Sequence, residues 1–418
     1  MNFGKAGSVL GILVIAACAH KPMDRVEGLT YVGLADGNTS FVRTIAPQNG
    51  KCPEVKISKG AAEETTLQMT ANKFESATVC EATLPEGTAS VSVAGKQIQI
   101  PKAPKRIVVF GDTGCRLKGD YFQECNDPNQ WPFKRIAKAI ELEKADLIVH
   151  VGDYHYRESC KDPVKCAPYK DTLGYGYRPW EADFLHPAAP LLQTTPFLFV
   201  RGNHEDCQRA HEGFSRLLTP LGENSCPKFQ DTRYTNFGNI LVVNFDNATL
   251  SDQGLDPKGT EMNQWREHYR KMVAQIKSRP ESEVWIVLHR PIWGLSPNWN
   301  GPAAVLPVNL NMQLLVKEMP LPKKVKFVFA GHIHNTQVSS GKRPVHVVVG
   351  EGGTALDYYD EATRKLIPAG FTVLPSTHGY MVLEQNSDGK WVGVVKDDQG
   401  KASFKCSLEQ ANAPCAVP

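Results

Sequence analysis

The chain has 418 residues, of which 41% are hydrophobic and 22% are charged, and its formal net charge is only +3. This composition excludes a disordered chain and a polytopic membrane protein, and the small net charge, with no basic run, gives no evidence of a nucleic-acid-binding surface. The length exceeds that of a usual single domain, so we expect one large domain and a smaller one.

The N-terminus has the pattern of an export signal. Lys5 precedes a short apolar run that ends in Ile15-Ala-Ala-Cys18 and is too short to span a bilayer. This ending resembles the bacterial lipoprotein cleavage box. We therefore predict a lipoprotein signal peptide at residues 1–17, a lipidated Cys18, a tether at 18–30, and a lipid-anchored location in the cell envelope, in the periplasm or at the cell surface. Plain signal cleavage that leaves Cys18 free is the alternative.

Ten cysteines remain besides Cys18, and an even number in an exported chain favours disulfides. The sequence does not fix their connectivity, but the cysteines fall into neighbouring couples, and short loops are the easiest to close. A thiolate zinc site at Cys160 and Cys166 is the rival for that couple, although no second close pair stands nearby to complete it. The predicted pairs are Cys52–Cys80, Cys115–Cys125, Cys160–Cys166, Cys207–Cys226 and Cys406–Cys415.

Residues 31–103 predict a small all-β domain. Short alternating runs such as residues 30–34, 54–58 and 89–93 are broken by Asn, Gly and Pro, and no helical period is evident. Structural support or binding of a partner is the expected role, and the sequence identifies no particular partner.

Residues 104–397 alternate between predicted strands and helices, which is typical of an α/β domain. The segment at 159–180 is rich in Tyr, Gly and Pro and predicts a long excursion from the sheet edge. Residues 398–418 are predicted to form a tail held by a disulfide. The main predicted elements are strands at 106–110, 147–151, 196–200, 284–288, 325–329, 345–349, 379–384 and 391–396, and helices at 132–144 and 261–277.

Side chains that bind metals follow five separate apolar runs. Each set therefore emerges where a strand ends, at a sheet edge, where open α/β folds place their ligands. Two cations about 3.5–4 Å apart need ligands from several strands, because no single turn can surround them. The five segments are Gly111-Asp112-Thr-Gly, Gly152-Asp153-Tyr-His-Tyr156, Gly202-Asn203-His204-Glu205, Val287-Leu-His289 and Gly331-His332-Ile-His334.

These motifs resemble the calcineurin-like metallophosphoesterases, and among them the purple acid phosphatases. Most of the superfamily carries Asp-x-His in the first motif, whereas Thr113 and Gly114 follow Asp112 here. The purple acid phosphatase pattern has Gly-Asp-x-Gly at that place and supplies a tyrosine in Gly-Asp-x-x-Tyr, which Asp153 and Tyr156 match. An aromatic residue that merely packs after the strand is the alternative for Tyr156.

The resemblance covers about residues 105–396 and implies an α/β (α+β) fold, a four-layer metallophosphoesterase-type β-sandwich flanked by helices. It also implies a ferric ion and a bridged divalent ion, Zn²⁺, Fe²⁺ or Mn²⁺. Carboxylates and a phenolate suit the trivalent ion, while an amide oxygen and imidazoles suit the divalent one. The implied ligands are Asp112, Asp153, Tyr156 and His334 for the ferric ion, and Asp153, Asn203, His289 and His332 for the divalent ion.

Four further residues beside the ligands are candidates for catalysis or substrate binding. His204 is the candidate proton donor to the leaving oxygen, with Glu205 as a residue that orients the site. His155 flanks the ligands and is a candidate phosphate contact. Arg290 is a candidate for bidentate phosphate binding, and an ion-pair partner is its alternative role.

The sequence thus predicts metal-dependent hydrolysis of phosphomonoesters, with a metal-bound hydroxide as the nucleophile. A phosphodiesterase or nucleotide hydrolase on the same scaffold is the nearest alternative. A non-catalytic surface lipoprotein that binds a partner is a third reading. His204 argues against the third reading, because a purely structural metal site needs no proton donor.

Overall fold

The computed structural model describes residues 26–46, 50–60, 64–220, 225–298, 301–341, 344–410 and 412–418. The predicted signal peptide and Cys18, the predicted lipidation site, lie outside these residues. Within the described ranges, no helix is long and apolar enough to cross a membrane.

Strands dominate the chain, and most of its helices lie between residues 133 and 318. The N-terminal strands are β1 (Leu29–Leu34), β2 (Ser40–Ala46), β3 (Glu54–Ser58), β4 (Glu64–Gln68), β5 (Thr70–Phe74), β6 (Ala77–Leu84), β7 (Ser90–Val93) and β8 (Lys96–Gln99). The next strands are β9 (Arg106–Phe110), β10 (Leu117–Lys118), β11 (Tyr121–Phe122), β12 (Leu147–His150), β13 (Phe197–Phe199), β14 (Arg233–Phe237), β15 (Ile240–Asn244) and β16 (Glu283–Val287). The last are β17 (Leu295–Pro297), β18 (Val305–Pro307), β19 (Val325–Ala330), β20 (Thr336–Ser339), β21 (Val345–Val349), β22 (Phe371–Val373), β23 (Gly379–Gln385), β24 (Trp391–Asp397), β25 (Ala402–Cys406) and β26 (Cys415–Ala416).

The α-helices are α1 (Phe133–Leu142), α2 (Pro163–Cys166), α3 (Tyr177–Trp180), α4 (His186–Leu192), α5 (His211–Leu218), α6 (Thr260–Ser278), α7 (Leu310–Glu318) and α8 (Glu361–Arg364). The excursion predicted at 159–180 contains α2, a 3-10 helix at Ala167–Thr172 and α3.

Two large sheets form the centre of the molecule. The first has eleven strands in the order β26-β25-β24-β23-β9-β12-β13-β1-β2-β6-β5, and the second has seven in the order β14-β15-β16-β19-β21-β20-β22. Strands β9, β12 and β13 are parallel to one another, as are β15, β16, β19 and β21. Because parallel strands end at one edge, the loops after them converge.

The two sheets pack face to face between layers of helices. Alternation along β9 sends Ile107 and Val109 toward the second sheet, where they share a core with Val287 and Phe329. On the outer face of the first sheet, Val108 shares another core with the helical layer. A third core joins the outer face of the second sheet to α6 and α7. The predicted four-layer fold is confirmed.

The predicted helix at 132–144 shows why these layers form. The structure has α1 at Phe133–Leu142, and the apolar residues spaced three and four apart all face the sheet. Phe133, Ile136 and Ile140 are buried in the first core, whereas Leu142 is exposed at the end of the helix.

The N-terminal region is built of strands, as predicted, but it extends the first large sheet. Strand β1 pairs in parallel with β13, with Gly33 opposite Phe197, and β2, β6 and β5 follow outward. A separate four-stranded sheet, β4-β3-β7-β8, packs on β1, β2 and β6 through a core that includes Val32, Val55 and Val91. The sequence did not predict this continuity, because pairing between distant strands leaves no local pattern.

All five predicted disulfides are present: Cys52–Cys80, Cys115–Cys125, Cys160–Cys166, Cys207–Cys226 and Cys406–Cys415. The rival zinc site at Cys160 and Cys166 is therefore excluded. The last disulfide joins β25 and β26, so the predicted tail also adds two strands to the first sheet. Five disulfides are typical of an exported or extracellular protein.

Candidate metal centre

The five motifs meet where strands of the two sheets end. Asp112, Asp153 and Asn203 follow β9, β12 and β13 of the first sheet, while His289 and His332 follow β16 and β19 of the second. Asp112, Asp153 and His332 adopt the left-handed backbone region, with φ of +56°, +57° and +74°. Non-glycine residues are strained there, and such strain concentrates at functional sites because the surrounding structure must hold it.

Four of the five motifs begin with a glycine, and each of these glycines leaves room for a neighbouring segment. A Cβ added at Gly202 would lie 2.1 Å from the backbone nitrogen of Asp153, and one at Gly331 would lie 2.4 Å from Oδ2 of Asp112. No side chain fits at either distance. These glycines therefore allow the sheet ends to approach closely enough to bring the polar groups together.

One group of polar atoms surrounds the phenol of Tyr156, which is buried. Its Oη lies 2.8 Å from Oδ2 of Asp153, 3.2 Å from Oδ1 of Asp112 and 3.1 Å from Nε2 of His334. Nδ1 of His334 lies 2.8 Å from the carbonyl of Ala355, which can only accept a hydrogen bond. In the neutral ring, the lone pair of Nε2 therefore faces the phenol and the carboxylates.

A second group surrounds His289. Its Nδ1 lies 2.8 Å from the carbonyl of Val151 and must carry the proton, so Nε2 of the neutral ring presents a lone pair. That Nε2 lies 3.0 Å from Oδ1 of Asn203 and 3.2 Å from Oδ2 of Asp153. Asp153, His289 and His332 each offer a ligand atom, and the three atoms lie within 4.8 Å of one another.

These two groups fit a pair of cations. Three acceptors, the lone pair of His289, the Asn203 amide oxygen and the Asp153 carboxylate, point at a common centre, and a cation between them replaces their repulsion by coordination. Oδ2 of Asp153 also contacts Tyr156, so a single carboxylate oxygen belongs to both groups. The set that can hold metals comprises Asp112, Asp153, Tyr156, Asn203, His289, His332 and His334.

Burial and mutual repulsion shift the pKa values of the carboxylates and of the phenol. Burial raises the pKa of Asp112 well above its usual range, and the negative charge of Asp153 raises it further. Burial also opposes ionisation of Asp153, but its interactions with the His289 and His204 imidazoles and with the backbone N–H of His204 outweigh burial and hold its pKa well below the ordinary value. Burial and these two carboxylates raise the pKa of the Tyr156 phenol.

Asp252, a residue that the sequence reasoning missed, contacts His332. Its Oδ2 lies 2.9 Å from Nε2 of His332 and forms an ion pair with Arg290. Burial would raise the pKa of Asp252, but the charges of His332 and Arg290 lower it instead. Asp252 lies outside the five motifs, and no strand-end pattern distinguishes it in the sequence.

His204 lines the cavity, and one of its ring nitrogens contacts a carboxylate. Its Nδ1 lies 2.6 Å from Oε1 of Glu158, and its Nε2 lies 3.9 Å from Oδ2 of Asp153. The two atoms Nδ1 and Oε1 are close, but their contact does not have hydrogen-bond geometry. The His204 ring lies 3.9 Å from that of Tyr156, measured between centroids. Burial lowers the pKa of His204 to about 4, and the charges of Asp153 and Glu158 oppose this only in part.

Glu205 fixes the backbone of the second motif. Its carboxylate accepts hydrogen bonds from the backbone N–H groups of Gly202, Asp153, Tyr154 and His155, at 3.0–3.2 Å. It therefore joins the loops that follow β12 and β13, as expected for a residue that orients the ligands.

His155 and Arg290 are not among the residues that line the cavity, but Nη1 of Arg290 lies 3.0 Å from Nε2 of His332, which does line it. His155 is buried among aromatic rings, and its Nε2 lies 2.6 Å from the carbonyl of Gly174. Arg290 donates to the carbonyl of Ala248 at 2.9 Å and pairs with Asp252. Arg290 is thus an ion-pair partner of Asp252 beside the cavity, whereas His155 is fully buried, and substrate binding by either residue stays a prediction.

A cavity of about 610 Å³ opens above the two groups. Arg116 is a lining residue that sequence reasoning missed, although it follows the turn of the first motif directly. Tyr121 also lines the cavity, whereas no residue of the tyrosine-rich segment at 159–180 does. The lining residues are Arg116, Tyr121, Asp153, Tyr156, Asn203, His204, Asp252, Ser296, Val308, His332, Ile333, His334, Ala355, Leu356 and Asp357.

Comparison with known proteins gives one matching family model, described as calcineurin-like phosphoesterase, over residues 105–336, more than half of the chain. Two relatives from Arabidopsis thaliana, named probable inactive purple acid phosphatase 27 and probable inactive purple acid phosphatase 24, are each 22% identical over 286 residues. Each alignment covers 62% of this chain and 43% of the relative. The chain thus spans less than half the length of these relatives.

Two solved structures share the fold. The purple acid phosphatase PPD1 from yellow lupin (Lupinus luteus) seeds matches with a TM-score of 0.60 and 14% identity, over 94% of this chain and 77% of that one. The structure of PhoD matches with a TM-score of 0.54 and 9% identity, over 94% of this chain and 92% of that one. At such identities the likeness establishes the architecture alone.

Proposed function

Because the chain belongs to the calcineurin-like phosphoesterase family, we propose that it hydrolyses phosphomonoesters with two metal ions held at the strand ends. The supporting observation is Oδ2 of Asp153, which contacts both Tyr156 Oη at 2.8 Å and His289 Nε2 at 3.2 Å. One carboxylate that serves two adjoining ligand groups is the arrangement a two-metal hydrolase requires.

We propose Fe³⁺ for the group that contains the Tyr156 phenol and Zn²⁺, Fe²⁺ or Mn²⁺ for the group that contains the His289 imidazole, because the donors differ in hardness. When bound, such a pair acidifies water and neutralises phosphate charge. Asp112, Asp153, Tyr156 and His334 would hold the first ion. Asp153, Asn203, His289 and His332 would hold the second.

His204 is the proposed proton donor to the leaving oxygen. Its Nδ1 faces Glu158, whose carboxylate fixes the orientation of the ring and partly opposes the lowering of its pKa by burial. Burial would raise the pKa of Glu158, but the close contact with His204 and the positive charges of Lys118 and Arg209 outweigh burial and lower this pKa to about 2. Glu158 is thus ionised at any pH well above 2 and can stabilise the imidazolium form of His204.

The test is kcat/KM for para-nitrophenyl phosphate against bis(para-nitrophenyl) phosphate, with soluble protein reconstituted with iron plus zinc or manganese. We expect a strong preference for the monoester and loss of turnover in Asp153→Asn. A preference for the diester would assign the chain to phosphodiesters. No turnover of either ester would contradict the proposal and favour a binding role, in keeping with the word "inactive" in the names of the plant relatives.

Export by a lipoprotein signal with attachment through Cys18 is also proposed, from the residues Ile15-Ala-Ala-Cys18. The natural protein is expected in the membrane fraction of its cells, and Cys18→Ser in the soluble fraction. Mass spectrometry of the mature N-terminus gives an independent answer, because a lipidated cysteine adds the mass of its acyl chains. An unmodified cysteine there would support plain signal cleavage.

A further inference from the structure

A short hairpin enclosed by a disulfide projects beside the metal centre. Strands β10 and β11 form it, and the bond between Cys115 and Cys125 closes its base. Residues 115–125 are called the Cys115–Cys125 hairpin below. It carries two residues of the cavity lining, Arg116 and Tyr121, neither of which belongs to the metal-binding motifs.

The backbone of the hairpin is tied to the metal-binding loop. Leu117 donates its N–H to the carbonyl of Tyr156 at 3.0 Å, and Cys115 donates to Oδ1 of Asp183 at 3.0 Å. Gln123 bridges the two arms, since its side chain accepts from the N–H of Arg116 at 2.8 Å and its own N–H donates to the Arg116 carbonyl at 3.0 Å. The Cα of Arg116 is therefore held at a fixed place relative to Tyr156.

The guanidinium of Arg116 has no acidic partner among the described residues, and its buried Nε makes no hydrogen bond there. It lies over the ring of Tyr121, 4.9 Å from the centroid, and 5.9 Å from the centroid of Tyr156. Apart from histidines, it is the sole cationic side chain that lines the described part of the cavity. The guanidinium is half-buried at the cavity, so its donors can bind an anion there.

We propose that Arg116 binds the phosphoryl oxygens of the substrate and that this contact produces a preference for monoesters over diesters. The inference rests on the proposed hydrolysis of phosphate esters. A guanidinium fork pairs with two oxygens at once, and a monoester has one more charged oxygen than a diester, so it gains more from the contact. Tyr121 keeps the fork over the cavity by stacking on its outer face.

The variant Arg116→Gln tests this assignment. We expect kcat/KM for para-nitrophenyl phosphate to fall about 10- to 100-fold, the effect of removing charged hydrogen bonds, and kcat/KM for bis(para-nitrophenyl) phosphate to fall by a smaller factor. Arg116→Lys retains the charge without the fork and should recover part of the loss. Arg270→Gln is the matched control. It removes the same charge from the exposed face of helix α6 and should leave kcat/KM for both esters unchanged.

Binding of inorganic phosphate to the metal-loaded protein, measured by calorimetry, gives a readout independent of turnover. We expect Arg116→Gln to bind phosphate about 10-fold more weakly than the wild-type protein. Equal phosphate affinity, or an equal fall in kcat/KM for both esters, would overturn the inference while leaving the proposed hydrolysis intact. If the wild-type protein hydrolyses neither ester, the proposed function fails, and the phosphate titration still decides the role of Arg116.

Discussion

Tyr156 is the residue that distinguishes the two metal groups from each other. Its phenol oxygen contacts Asp112, Asp153 and His334, and of these three Asp153 alone also belongs to the group around His289. We expect Tyr156→Phe to lose the visible absorption of a ferric phenolate and part of the bound iron, while retaining the divalent ion. Metal analysis together with the visible spectrum checks this. Unchanged iron and colour would remove Tyr156 from the ligand set and with it the purple acid phosphatase assignment.

His204 is expected to act on the substrate without holding a metal. His204→Ala should lower kcat about 10²- to 10⁴-fold, the usual contribution of a general acid, while both metals stay bound. Glu158→Gln should lower kcat less, because the imidazole remains but loses its anionic partner. Single-turnover kinetics and metal analysis on the same samples separate the two roles. Loss of metal from His204→Ala would place that histidine among the ligands instead.

Gly202 provides a test of close packing at the site. A Cβ at this position would lie 2.1 Å from both the backbone nitrogen and Oδ1 of Asp153. Gly202→Ala should therefore displace Asp153, reduce metal binding and destabilise the fold by about 1–3 kcal/mol, a typical penalty for overpacking. Gly254→Ala is the control, since no atom lies within 4 Å of a Cβ there. Equal metal content in the two variants would contradict the packing argument.

At the residue scale, the ligand candidates could be proposed from the sequence because their motifs follow apolar strands and four of the five motifs begin with a glycine. Arg116, Asp252 and Glu158 were missed for a physical reason. Their charged groups reach the site only because of the three-dimensional fold. Nothing in the neighbouring sequence distinguishes a charged side chain that faces a cavity from one that faces solvent. The placement of Arg116 after the first motif was the only available signal.

At the scale of elements, Glu143 joins helix α1 to three strands of the first sheet. It pairs with Arg106 of β9 at 2.6 Å and Lys396 of β24 at 2.6 Å, and it accepts from Tyr380 of β23 at 2.8 Å. Burial alone would raise its pKa, but these bonds outweigh burial and lower the pKa below the ordinary value near 4.5. The ionised carboxylate therefore stabilises the folded state.

The contribution of Glu143 to stability therefore depends on pH. A lowered pKa means that this stabilisation is fully present above the ordinary carboxyl pKa and is lost as the pH falls through the folded value. Glu143→Gln should reduce the free energy of unfolding by about 1–3 kcal/mol at pH 7, and the difference should shrink below about pH 4. Urea unfolding at both pH values measures it. Glu384→Gln, which breaks one half-exposed pair with Arg106, should cost under about 1 kcal/mol.

Among the elements, long periodic helices and apolar strands were predicted within a few residues. Helix α6 at Thr260–Ser278 and strand β16 at Glu283–Val287 are examples. Helices α4 and α5 were not predicted. Helix α4 contains two prolines and α5 is short, so tertiary packing determines both more than local propensity does.

At the scale of the whole molecule, we expect one disulfide to contribute to stability alone and another to contribute to activity as well. Cys52–Cys80 spans 28 residues and lies in the N-terminal region, far along the chain from the ligands. The double variant Cys52→Ala/Cys80→Ala should lose about 3–4 kcal/mol by the chain-entropy account, with kcat/KM unchanged. The double variant Cys115→Ala/Cys125→Ala should also lower kcat/KM, because it loosens the hairpin that holds Arg116. An equal effect of both double variants on kcat/KM would argue against that hairpin's role.

The joining of β1 to β13 has a consequence for how the protein avoids self-association. Without β1, the first sheet would end at β13, whose sequence Phe197-Leu-Phe199 would expose a row of unpaired backbone groups on an apolar strand. Exposed edges of that kind recruit strands from other copies. The N-terminal strands instead move the edge outward to β5, Thr70-Ala-Asn-Lys-Phe74, which is mostly polar and carries a lysine. The N-terminal strands thus protect the domain that contains the metal-binding motifs from edge-to-edge aggregation.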